Sequence, residues 1–550
     1  MALSLSADQK SLLRIFYSED QFVIPDYQRP YSWGVNECYQ LYSDVTSAFL
    51  EGSQDYFLGT IIIARAISGD ETEARVVDGQ QRLITLWLFF KCLSLLLPDI
   101  KKISRSLSIE PWNVEGDVPK IKSLVEERKE DDQLFKIWQY DYDQTQTIWT
   151  QNSDSNNRLN EDLIKDRFLC NYLTLFYYLK GFITTLSEEK KSDFWNFWVN
   201  KVYLLPIELQ GATMDEAEDK AMTIFETINN RGLNLCDADI FKARLYQKAK
   251  AIKEQETFSE QWNELVQQCE SLGMSVDDVF RYLMHIVRGE NGITDKEKGL
   301  RDFFINEPFS PLKLDNYQEL LGKLFRILEI LCFCRENRWN GSELSPWLQI
   351  INEYSNNYPN YAIVSYLYKN NTLDNPHDSA NLIRFIQSII RYCFLNGATA
   401  NVKFEIFNII RDVMKGKEVA LYNCQVPIEF FNSIGRLKNG YALLAHYLLH
   451  PNVYLHTYTI DKLIRPYYDY IWDWEDEKRK MVLNSLANLV VLDIQLRRVS
   501  QSRKFAYYQK SVFEDIRELM DSNSTVEYSE FLDREQKILA ALSDFFALEK

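Results

Sequence analysis

Apolar residues along this 550-residue chain fall into strand-like and helix-like patterns. Tyr56–Ala64 is a near-continuous, β-branched apolar run and predicts a buried strand. Phe22–Ile24 begins an extended segment, Arg75–Val77 forms another short strand, and Lys201–Leu209 returns to strand character. Helical spacing marks Asp8–Tyr17, Asn36–Leu50 and Leu83–Leu97, the last closed by Pro98. Between about 100 and 200 the chain is rich in charge and aromatics, with helical stretches at 118–137, 160–186 and 190–198. This region reads as a helical insertion between two parts of one site. From about 255 to 455 helical patterns such as Tyr317–Phe333 and Ile383–Phe394 succeed one another without a fixed-period repeat. The expectation is an α+β, mainly helical protein: a mixed N-terminal domain over 1–250, a helical middle domain over 251–455 and a small domain over 456–550.

Polar chemistry gathers at three places in the first part. Val76–Leu96 runs from an extended segment through Asp78-Gly79 into an apolar helix. Gly79 supplies backbone angles that other residues resist, and Gln80, Gln81 and Arg82 then occupy the first helical turn. A helix start exposes unpaired N–H groups and a partial positive charge, so an arginine there strengthens a site for phosphate or another anion. Asp78 is placed to hold a divalent cation or a water, with the glutamines to orient that water. The same residues also make an ordinary solvated strand-to-helix turn.

Upstream, Pro25 and Pro30 bias Ile24 and Arg29 toward extended backbone, holding Gln28 and Arg29 on a rigid, non-helical segment. Tyr27, Tyr31 and Trp33 are spaced either to stack a base or to fill core. Downstream, Asn230-Arg231-Gly232 fits a helix C-terminus and Asp237 fits the cap of a helix over Ala238–Ile252. Two helices and a turn explain Gly232 and Asp237, but not the grouping of Asn229, Asn230, Arg231 and Lys242.

The 62 basic against 79 acidic residues, a net charge of −17, exclude a protein that coats nucleic acid non-specifically, though not a local basic groove. Nine cysteines are scattered without a C-x-x-C pair, and Cys332-Phe333-Cys334 lacks the second pair a zinc site needs, so free thiols are expected. His446 and His450 lie four apart, but Tyr447 follows the first where a zinc protease would carry glutamate, so both read as ordinary histidines. With neither a secretory leader nor an apolar run of membrane-spanning length, the reading is a cytoplasmic protein without membrane contact.

Four motifs occur in order: P-D-Y-Q-R-P-Y-S-W (Pro25–Trp33), Y-F-L-G-T-I (Tyr56–Ile61), V-D-G-Q-Q-R-L-I-T-L (Val77–Leu86) and F-E-T-I-N-N-R-G-L-N-L (Phe225–Leu235). Over about residues 8–250 they resemble the N-terminal domain of the GmrSD family of modification-dependent, type IV restriction proteins, a domain similar to the ParB/sulfiredoxin fold. The resemblance implies binding and hydrolysis of a nucleoside triphosphate (NTP) with Mg²⁺ or Mn²⁺, used to sense or respond to modified phage DNA. Carried onto this chain, Asp78, Gly79, Gln80, Gln81 and Arg82 would form the nucleotide motif. Asp78 would be the metal ligand, and Asp78, Gln80, Gln81 and Arg82 the catalytic set. Gln28 and Arg29 would form a second wall, and Asn230, Arg231 and Lys242 a third. Arginines would neutralise phosphate charge while a carboxylate held the divalent ion.

The resemblance further implies a C-terminal HNH nuclease domain, whose motifs align best with Ile460–Pro466 and Leu486–Asp493. Lys462 then stands where the base histidine would be, Arg497 lies near an expected asparagine, and no histidine follows His456. An ammonium protonated near neutral pH cannot accept a proton from water as imidazole does. The expectation is a degenerate HNH-like scaffold, with Arg497, Arg498, Arg503, Lys504 and Lys510 gripping a DNA backbone or forming a solvated helical face. The chain then reads as an NTP-binding, NTP-hydrolysing regulatory or sensor subunit whose DNA cleavage comes from a separate HNH nuclease protein, with homo-oligomerisation left open. The alternatives are a self-sufficient HNH endonuclease and a non-enzymatic nucleotide- or DNA-binding module.

Overall fold

The computed structural model describes residues 5–67, 72–110, 116–125, 129–154, 159–160, 164, 166–229, 237–314, 316–335, 343–370, 379–397, 400–419, 430–431, 435–451, 453–493, 501–520, 522 and 524–547. The chain divides into two compact units, 1–263 and 264–550. As expected, the protein is α+β and mainly helical, with its large sheet in the first unit.

That sheet is built from β1 (Leu5–Ala7), β2 (Lys10–Ser11), β3 (Gln21–Ile24), β4 (Tyr56–Ala66), β5 (Glu73–Asp78), β8 (Ile121–Ser123) and β9 (Val202–Gly211); β6 (Ser108–Ile109) and β7 (Val118–Pro119) form a small separate ladder. The order is β1-β9-β4-β5-β3-β8, with β2 also paired to β9. β4 runs parallel to β9 and antiparallel to β5, while β3 lies parallel to both β5 and β8.

Both faces of this sheet are covered, which is why β4 reads as a continuous apolar run. Ile61 and Ile63 join the main core, whereas Ile62 and Ala64 point to the opposite side and pack with Ala217, Ala221 and Phe225. The main core is formed with α1 (Leu12–Phe16), α2 (Val35–Leu50), α3 (Gln80–Leu96), α4 (Glu130–Gln139), α5 (Tyr142–Gln151), α6 (Arg167–Thr184) and α7 (Glu188–Asn200). The other face carries α8 (Met214–Asn229), and α9 (Asp237–Ala251) follows it in the chain.

Helix α3 is the hub of the main core. Every residue from Leu83 to Leu93 is buried, so it shows no polar face. Even Lys91 is inside, its ammonium donating to the carbonyls of Trp138 (2.8 Å) and Tyr140 (2.6 Å) at the C-terminal end of α4. Trp198 stacks on Phe89 with ring centroids 3.9 Å apart, so the stretch read as an insertion contributes to the same core as the sheet.

Two helix expectations fail at sheet edges. Within Asp8–Tyr17 only Leu12–Phe16 is helical, because Lys10 and Ser11 pair with Leu204 and Tyr203 of β9. Within 118–137 the chain first forms β7 and then β8 against β3, and becomes helical only at Glu130.

In the second unit, helices Val276–Glu290, Tyr317–Arg335, Tyr358–Asn370 and Ala400–Met414 pack together. Nearer the C-terminus, Lys438–Leu449 packs on Tyr528–Phe546 and on the antiparallel pair β10 (Thr459–Lys462) and β11 (Leu489–Leu492). Among the described residues no helix is long and apolar enough to cross a membrane.

Candidate functional site

The β5-to-α3 turn is as tight as its sequence requires. Gly79 has φ +88°, and a Cβ added there would lie 2.5 Å from Cγ2 of Ile61, so glycine is needed for both conformation and space. Arg82 follows one turn into the helix and donates from Nη1 to the Thr60 carbonyl at 2.8 Å. Its guanidinium lies over Gly59 (φ +118°), where a Cβ would come within 3.1 Å of it. The register of β4 against β9 shifts between Phe57 and Thr60, so an irregularity in the strand makes room for this arginine. The Y-F-L-G-T-I motif thus has a local job that its sequence did not disclose.

Asp78 ends β5 between two arginines. Burial pushes its pKa above the ordinary carboxylate value, opposed by the Gly79 N–H and by the charges of Arg82 and Arg29. Burial likewise lowers the pKa of Arg82, against the opposing charge of Asp78. Among the described residues neither arginine is in salt-bridge contact with Asp78. The carboxylate sits in their field without being capped by them.

Side chains, rather than a ladder, hold the Pro25–Trp33 segment. Gln81 accepts the N–H groups of Ser32 (2.7 Å) and Trp33 (3.1 Å) and donates to the Pro30 carbonyl (3.2 Å). Gln80 donates to the Arg29 carbonyl at 2.6 Å, and Gln28 reaches the Val77 carbonyl at 2.8 Å. Glu130 accepts the Tyr31 N–H at 2.6 Å, while Arg167 and Asn171 donate to the carbonyls of Ser32 (2.5 Å) and Trp33 (2.7 Å). Buried Lys242 donates to the Gln28 carbonyl at 3.3 Å. A loop with no strand partner must satisfy its backbone this way or through water.

These bonds bear on several expectations. The Gln81 amide and the Gln80 amide nitrogen bond the loop backbone, and both residues also line the same cleft as Asp78 and Arg82. Lys242, expected on the nucleotide, also anchors the loop. Tyr27 and Tyr31 are core: Tyr31 is fully buried, shares a 2.7 Å hydrogen bond with Thr85 and packs 4.7 Å from the Phe168 ring. What this anchoring leaves outside is Arg29, whose side chain is exposed and makes no hydrogen bond or ion pair among the described residues.

Arg29, Asp78, Gly79, Gln80 and Arg82 line one cleft of about 190 Å³, joined by Trp33 and by Met222, Phe225, Asp239 and Ala243 of α8 and α9. Two of the three polar constellations therefore meet here, and the helices flanking the third supply a wall. Asn230 and Arg231 themselves lie outside the described residues. Beneath the cleft, Glu218 is only 1% exposed and ties α8 to β5 and α9 through Arg75 (3.2 Å) and Lys250 (3.6 Å). Glu130, Arg167 and Asn171 escaped sequence reasoning, since a glutamate in a charge run or an asparagine in an apolar helix carries no mark of the loop it will hold.

Residues 12–246 match the family model of the N-terminal domain of the GmrSD restriction endonuclease. This stretch is a GmrSD-family domain. It contains all four motifs and every residue lining the cleft, so the site lies wholly within the matched residues. The match supports a role in type IV restriction defence. No curated protein matches the chain.

Outside the GmrSD domain, β10 and β11 are followed by a helix at Gln501–Tyr508. Lys504 was expected on DNA, but it is 1% exposed and pairs with buried Asp461 at 2.6 Å. Asp461 also accepts from Tyr508 (2.9 Å) and Arg465 (3.0 Å). An ammonium so enclosed cannot serve as a surface contact for phosphate. Arg503 and Lys510 are exposed, and Arg497 and Arg498 lie outside the described residues. Asn488 bonds the Ile464 N–H at 2.7 Å and the Ile464 carbonyl at 3.0 Å, fixing the chain just beyond Lys462, which is exposed at the end of β10.

Proposed function

We propose that the GmrSD domain binds a nucleoside triphosphate in this cleft and hydrolyses it, as the regulatory or sensor part of a defence system acting on modified phage DNA. The observation that carries the reading is the convergence of Asp78, the α3 N-terminus, Arg82 and the exposed Arg29 on one recess. A helix start flanked by two guanidinium groups is complementary to a phosphate chain. The recess of about 190 Å³ matches the phosphate end of a nucleotide rather than all of it.

Mg²⁺ or Mn²⁺ fits this donor set. Among the described residues no group of three His, Cys, Asp or Glu is arranged for a metal. Mg²⁺ bound with a nucleotide needs only one or two carboxylates, the rest of its shell being phosphate and water. Asp78 would hold it, with Asp239 the other carboxylate of the cleft. Burial already penalises the ionised form of Asp78, and a cation relieves that penalty. When bound, the ion would supply charge neutralisation on the phosphates. Arg29 and Arg82 would orient the chain of phosphates, and Gln80, Gln81 and Lys242 would keep Arg29 in place.

DNA cleavage is assigned to a separate HNH nuclease protein, supported by Lys462 at the expected base position. The test measures Mg²⁺-dependent binding and turnover of ATP and GTP by the purified chain. The parent should bind at least one of them, and Arg82→Ala should lose at least tenfold in affinity. Equal binding by that variant would remove the cleft from consideration. Cutting of modified phage DNA by the purified chain alone, with NTP and Mg²⁺ or Mn²⁺, would overturn the partner assignment.

A further inference from the structure

A second groove of the GmrSD domain, about 530 Å³, lies between α2, α5 and α6 and shares no residue with the nucleotide cleft. Among the described residues its walls carry six aromatic rings, Tyr42, Trp149, Phe176, Tyr177, Tyr178 and Phe182, and no leucine, isoleucine, valine or methionine. Trp149 and Tyr177 are parallel to within 4° at 4.7 Å, and Tyr42 stacks on Tyr178 at 5.4 Å. Tyr177 is 39% exposed. Among the described residues the polar part of the lining is the Gln146 amide, hydroxyls and a single cation, Lys180, which spends one donor on Gln146 at 2.7 Å.

Gly181 is an independent sign. It lies inside α6 with ordinary helical backbone, and an added Cβ would meet nothing within 4 Å. Glycine weakens a helix interior relative to alanine, and neither conformation nor packing asks for it here. Gly181 lines the groove, so without a Cβ it leaves the helix backbone open there.

A groove for an aliphatic peptide would be lined with branched side chains. One lined by rings, an amide and an ammonium suits flat heteroaromatic faces with a phosphate nearby. In a duplex those faces are already stacked, so they are available only on unpaired bases. We propose that this groove takes an unpaired nucleobase of DNA by stacking on the ring wall around Tyr177, with Lys180 on the adjoining phosphate.

The test uses the full chain without nucleotide and fluorescence anisotropy with labelled oligothymidylate, the same strand made abasic, and a duplex. The base-bearing strand should bind best, and Tyr177→Ala should weaken it about tenfold, the usual scale for one lost base stack. Gly181→Ala should leave the fold as stable or more stable while weakening the strand. With one cation at the site, log affinity should fall with log salt at a slope of only about −0.7. Equal binding of abasic and base-bearing strands would overturn the proposal, as would parent-like binding by both variants or no strand binding at all. Self-association that Tyr177→Ala abolishes, without strand binding, would overturn it in favour of a second copy of the chain. Arg82→Ala should bind the strand as the parent does, so failure here leaves the nucleotide cleft untouched.

Discussion

Replacing Gln81 by alanine separates two roles for the turn into α3. One amide holds three backbone groups of the preceding loop, at Ser32, Trp33 and Pro30. A net hydrogen bond contributes about 1 kcal/mol, and a buried donor left without a partner costs about 1–3 kcal/mol. Three half-buried bonds amount to roughly 3 kcal/mol, from which the better helix propensity of alanine takes back a few tenths. The expected loss is about 2–3 kcal/mol, concentrated in the loop that carries Arg29. Because the loss falls on one loop, the assay is hydrogen exchange resolved to residues 25–34. Ser32 and Trp33 should lose protection in Gln81→Ala. Gln81→Glu keeps an acceptor for both amides and forfeits only the donor to Pro30, so it should lose about a third as much. Unchanged exchange at Ser32 and Trp33, together with abolished nucleotide turnover, would refute the positioning role and leave Gln81 in the catalytic set.

Four further outcomes are expected. Gly79→Ala combines left-handed strain with a clash against Ile61 and should cost roughly 2–4 kcal/mol in thermal or urea melts of the first unit. Asp78→Asn should make that unit more stable at pH 7 while losing Mg²⁺-dependent nucleotide binding; the raised pKa of Asp78 means that folding penalises its charge, and this penalty grows as pH rises through the carboxylate range. In the second unit His285 and His446 have pKa values pushed down to about 3, mainly by burial, with Arg288 and His450 adding repulsion. Their contribution is whole above the unfolded value of about 6.5 and is lost as pH falls toward 3, because the unfolded chain binds more protons. His285→Phe should flatten that loss, since the ring lies between Tyr361 and Phe407 and neither nitrogen has a hydrogen-bond partner among the described residues; parent-like pH sensitivity would count against it. Lys504→Met should cost about 2 kcal/mol by removing one charged hydrogen bond to Asp461, which keeps Arg465 and Tyr508, measured by urea melts of the second unit, with no direct loss of DNA contact.

What the sequence alone determined is local. A β-branched run stays extended whatever surrounds it, and an Asp-Gly turn before an apolar stretch makes a strand-to-helix corner, so β4, β5, α3 and the placing of Asp78 and Arg82 were legible. The glycine at 79 could be read because the backbone conformation it allows belongs to the residue itself. The tertiary structure decided where each polar side chain spends its hydrogen bonds. Lys10, Ser11 and Ile121 became strand because sheet edges distant in sequence offered them partners. Gln80, Gln81 and Lys242 anchor the loop because the segment beside them had backbone groups to satisfy. Lys504 was drawn inside by Asp461, more than forty residues away. Whether an amide or an ammonium faces solvent, ligand or its own chain depends on what folding brings beside it, and no local pattern of residues encodes that neighbour.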